Sequence, residues 1–117
     1  MVSLKASARR STRLTLQIPV VVTSLDSACD FHRECETVVV NAHGFGFIAG
    51  TRLKDKTPVL VTLVSSGANK KGRVVLAIPV LESFSWLLGV EFDSPGNFWE
   101  VERPPADWST QRASLKV

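Results

Sequence analysis

Apolar and polar positions alternate in short runs along this chain, and no stretch keeps a helical period. Leu14-Thr15-Leu16-Gln17-Ile18-Pro19-Val20-Val21-Val22 alternates and then enters a β-branched block, which predicts a strand with Pro19 at a bulge or edge. Asp26 to Arg33 is polar and reads as a loop, Glu36 to Val40 as a second strand, and Asn41 to Gly44 as turn chemistry leading into Phe45-Gly46-Phe47-Ile48-Ala49. A charged connection, Gly50 to Thr57, precedes a fourth strand at Pro58 to Val64. After the turn at Ser65 to Asn69, Lys71 to Leu81 and Phe84 to Phe92 complete the set, separated by Glu82-Ser83 and closed by Asp93-Ser94-Pro95-Gly96.

Six short strands with no crossover helices between them predict an all-β fold, an antiparallel barrel or sandwich. The pattern changes at Asn97, where Phe98, Trp99 and Val101 cluster ahead of Pro104-Pro105 and Trp108. That suits a short C-terminal capping helix stopped by prolines, with Trp86, Trp99 and Trp108 as core or cap residues. The expected organisation is a flexible basic arm over residues 1–13, a barrel with its cap over 14–108, and a frayed tail over 109–117.

Composition narrows the function. With 117 residues, 44% hydrophobic and 21% charged, the chain suits one globular domain. No apolar run approaches bilayer length and the N-terminus lacks a signal-peptide core, so a cytoplasmic protein without membrane contact is expected. The net charge of +3 is too small for a polycationic nucleic-acid binder, but Lys5, Arg9, Arg10 and Arg13 all precede the first acid, Asp26. The two histidines, His32 and His43, form no Ser/His/Asp pattern and carboxylate pairs fall only in loops, so an enzyme is not expected. Cys29, His32 and Cys35 recur every third residue and have donor types suited to zinc, but the spacing matches no common zinc motif. A polar loop holding two incidental free cysteines is the plainer reading, and a transient disulfide is the other.

Two segments carry candidate ligand chemistry. Arg9-Arg10-Ser11-Thr12-Arg13 places guanidiniums at i and i+4, each a rigid fork of donors for phosphate or for guanine O6 and N7. Asn41-Ala42-His43-Gly44-Phe45-Gly46 ends a strand in a side-chain amide and two glycines, which would permit positive φ and a close ligand approach. Taken singly, the first is also what a solvated arm looks like, and the second an ordinary turn. A single-strand nucleic-acid barrel is a further possibility, against which stand the absence of tyrosine and the lack of aromatics interleaved with basic residues.

Together the segments resemble the RxxxR and (D/N)xSxxG motifs of the PilZ domain, the bacterial receptor family for cyclic di-GMP. Gly89-Val90-Glu91-Phe92 is similar to that family's last barrel strand, and Asn97-Phe98-Trp99 with Pro104-Pro105-Ala106-Asp107-Trp108 to the tail of small stand-alone members, so the resemblance covers about ninety residues. It implies a six-stranded antiparallel PilZ-type barrel. It also implies that Arg9, Arg10 and Arg13, with Asn41, His43 and Gly46, hold cyclic di-GMP as one molecule or an intercalated pair, with no other cofactor. The ordered arm would then signal to an unidentified effector protein. His43 stands where the family usually has serine. It either substitutes for the hydroxyl or marks a barrel that acts as an adaptor without ligand. The oligomeric state stays open.

Overall fold

The computed structural model describes residues 11–109. Six strands, β1 (Pro19–Ser24), β2 (His32–Asn41), β3 (Gly44–Ala49), β4 (Pro58–Leu63), β5 (Asn69–Val80) and β6 (Ser85–Phe92), close a barrel in the order β1-β2-β3-β6-β5-β4. Every neighbouring pair is antiparallel. Closure leaves no sheet edge exposed, which an isolated set of such apolar strands would otherwise present.

The interior follows from the period-two pattern. Val20 and Val22, Val59, Val61 and Leu63, Phe47, Val74 and Leu88 are all 0–1% exposed and come from alternate positions of their strands. Burying each such side chain stabilises the fold by about 1.5–3 kcal/mol. One end is plugged by Phe45, Phe92, Phe98 and Trp99, whose ring centroids lie 5.1–5.8 Å apart where they meet.

Three boundaries differ from expectation. β1 begins at Pro19, not Leu14. Leu14 makes one isolated bridge to Val40, and between them the Thr37 hydroxyl replaces the ladder, donating to Leu16 O at 2.6 Å and accepting from Ile18 N at 2.9 Å. β2 begins at His32, inside the predicted loop, because His32 to Glu36 pairs with β1 alone and overhangs β3. With little core beneath it, that ribbon carries polar residues and shows no alternation. The cap contains only one turn of 3-10 helix, Ala106–Ser109. Pro104 and Pro105 withhold the N–H groups a longer helix needs, and Asn97 ties the preceding loop by bonding both Val101 N and Val101 O. No helix among the described residues is long and apolar enough to cross a membrane.

Candidate functional site

The β2–β3 hairpin has a two-residue loop, Ala42-His43, and neither residue takes a positive φ. Asn41 closes it instead. Its Oδ1 accepts the N–H groups of His43 at 2.8 Å and Gly44 at 2.9 Å, so two donors identify this atom as the oxygen. That carbonyl is committed to the turn, and the Asn41 NH2 is the group left for a ligand. The carbonyls of the turn are committed as well, Asn41 O to Trp99 Nε1 at 3.0 Å, Ala42 O to Gly96 N at 3.0 Å and His43 O to Phe92 N at 2.7 Å.

Gly44 and Gly46 also differ from expectation, since both are extended strand residues rather than positive-φ positions. A Cβ on Gly44 would land on the Val90 carbonyl oxygen, so this glycine sets the approach of β3 to β6. Gly46 has space above it, with Val39 Cγ1 at 3.4 Å and Leu87 Cδ1 at 3.6 Å from where a Cβ would sit.

That space is the site. Val39, Gly46, Gly89 and Leu76 stand side by side across β2, β3, β6 and β5, so two adjacent glycines floor a trough between two apolar walls. Both walls sit at β-bulges, between Thr37 and Val39 and between Val74 and Leu76, which turn the side chains up from the sheet. The next row holds Asn41, Gly44, Glu91 and Arg73. Glu91 is fixed by Arg73 Nη2 at 2.9 Å, leaving a carboxylate on the rim beside a neutralising cation. The resulting hollow has a volume of about 450 Å3, and Arg13, Asn41, His43 and Glu91 are its polar lining residues.

Arg13, Asn41, His43 and Gly46 thus converge on one hollow. Arg9 and Arg10 lie outside the described residues. His43 Nδ1 is 3.3 Å from the Oγ of Ser11, a hydroxyl that is 2% exposed and accepts the Ala42 N–H at 3.1 Å. The Ser11 hydroxyl thus ties the imidazole of His43 to the backbone of the turn. Ser11 and Thr12, assigned by sequence to a flexible arm, are bonded to the barrel and its cap.

Glu91, Leu76 and Leu87 were not foreseen as site residues. The alternation Gly89-Val90-Glu91 puts Glu91 on the face of Gly89, a signal legible only once β6 is known to adjoin β3. The Cys29, His32 and Cys35 set does not converge on a metal centre, since no group of three His, Cys, Asp or Glu among the described residues could hold an ion. Cys29 and Cys35 are free and half-buried, and His32 Nδ1 lies 2.9 Å from Thr23 Oγ1. Burial, with a smaller contribution from the charge of Glu34, pushes the Cys35 thiol up to about 11.

No family model and no curated protein matches the chain. Among solved structures, it is similar to the Bacillus subtilis inhibitor of motility MotI/DgrA, with a TM-score of 0.62 and 9% identity. The match covers 92% of this chain and 52% of the other, so this chain spans about half of that protein's length. At that identity the similarity is one of fold: the same kind of closed barrel.

Proposed function

We propose that this protein is a PilZ-like receptor for cyclic di-GMP that passes the signal on through a protein contact. The observation that carries the reading is the convergence of Arg13 with Asn41, His43 and Gly46 around one glycine-floored hollow. The flat trough between Val39 and Leu76 suits a purine face. Arg13 supplies a guanidinium for phosphate or the guanine Hoogsteen edge. Glu91 and the Asn41 amide offer polar partners at the rim, and a carboxylate is the natural acceptor for guanine N1–H and N2–H. His43, tied to Ser11, places an imidazole at the position where the family motif has a serine hydroxyl. Similarity of the barrel to an inhibitor of motility supports an output made through another protein, which the barrel alone does not identify.

Calorimetric titration tests this. Cyclic di-GMP should bind, cyclic di-AMP should not because it lacks the N1–H and N2–H donors, and Arg13→Ala should weaken binding by about tenfold or more. No heat at high micromolar cyclic di-GMP would rule the reading out and leave a ligand-independent adaptor.

A further inference from the structure

Arg13 is gripped from both sides by segments far away in the chain. On one side Thr12 has three polar groups taken by the C-terminal turn. Its N–H and Oγ1–H donate to Asp107 Oδ2 at 2.8 and 2.9 Å, and its carbonyl accepts the Trp108 Nε1–H at 2.7 Å. On the other side Leu14 exchanges hydrogen bonds with Val40, N to O at 2.8 Å and O from N at 2.9 Å. Trp108 is 1% exposed, so its indole is a fixed point of the core rather than a mobile surface group. Arg13 also lines a second hollow of about 400 Å3, whose other lining residues are Ser11, Thr12 and Asp107. It is the residue shared by this hollow and the glycine-floored trough.

We propose that Asp107 and Trp108 are positioning residues of the ligand site, which clamp Thr12 and thereby hold the Arg13 backbone beside the trough before ligand arrives. This rests on the cyclic di-GMP reading above. A long side chain on an unanchored segment must lose backbone freedom as well as rotamer freedom on binding, and anchoring the segment beforehand removes the first of these costs. The clamp also gives the C-terminal tail a role at a site more than ninety residues earlier in the chain.

The test is a double-mutant cycle on the full chain, with cyclic di-GMP affinity and melting temperature measured for each variant. Trp108→Phe removes the indole donor and keeps an aromatic ring, Asp107→Ala removes the acceptor, and Thr12→Val removes one exposed donor with little risk to folding. Each should weaken binding, Asp107→Ala by about tenfold, and Asp107→Asn should retain much of the affinity because its Oδ1 still accepts. In an Arg13→Ala background the same changes should cost little more. Wild-type affinity in all three variants, or an equal loss with and without Arg13, overturns the proposal. Amide exchange in the ligand-free protein decides the clamp separately: Asp107→Ala should speed exchange at Thr12 and Leu14 and leave Val20 and Val22 unchanged. Slow exchange at Leu14 in that variant sinks the clamp even if ligand binds, whereas no binding by the wild type sinks the functional reading whatever the exchange shows.

Discussion

At the scale of single residues, the site depends on atoms that are missing as much as on those present. Gly44 has no room for a methyl group against the Val90 carbonyl, and that backbone is locked in the β3–β6 ladder. Gly44→Ala should therefore destabilise the protein by about 3 kcal/mol or more, read from urea unfolding. A loss below about 1 kcal/mol would show that the two strands can part without penalty. A methyl on Gly46 would by contrast meet the Val39 and Leu87 side chains at ordinary contact distances, so it should disturb the trough rather than the fold. Cys35 makes a different forecast. Its folded pKa of about 11 lies above the ordinary thiol value of 9.0, so the folded state favours the neutral thiol. The associated stability is present below pH 9 and is lost as pH rises through about 11, which denaturation midpoints across that range should follow. At pH 8 the native Cys35 thiol should alkylate about a hundredfold more slowly than in the unfolded chain, and equal rates would contradict its burial.

At the scale of elements, the hairpins show which local signals reach the structure intact. The Asn41 turn was legible because an Asn side chain can stand in for the left-handed pair that a two-residue loop usually needs, and it does so within three residues. The start of β1 was not, because alternation runs unbroken from Leu14 while the hydroxyl that interrupts the ladder belongs to Thr37 on another strand. The β5–β6 hairpin carries strain that sequence did not announce. Phe84 sits at φ 51° and is 98% exposed, next to Glu82 at φ 71° and Leu81 at 82% exposure. Because the Phe84 ring buries almost nothing, Phe84→Gly should stabilise the protein by about 0.5–1 kcal/mol through relief of the left-handed backbone. A destabilised Phe84→Gly variant would mean that the ring is covered in solution.

At the scale of the whole molecule, barrel and C-terminal segment share one core. Phe92 and Phe45 of the barrel pack against Phe98 and Trp99 of the tail, and the tail satisfies the Asn41 and Ala42 carbonyls of the turn. Unfolding should therefore be a single transition, with tryptophan fluorescence and far-UV circular dichroism giving the same midpoint. An earlier fluorescence transition would show the cap leaving a stable barrel. The number and type of strands and the turn chemistry at Asn41 were determined by the sequence alone, because each depends on residues a few positions apart. Tertiary structure decided which strands adjoin. That pairing set Gly46 beside Gly89 to make a trough, brought Glu91 to its rim, and tied Thr12 to Asp107 and Trp108 across 95 and 96 positions of chain. Such contacts form only when the barrel closes, since closure alone brings distant backbone within hydrogen-bonding reach.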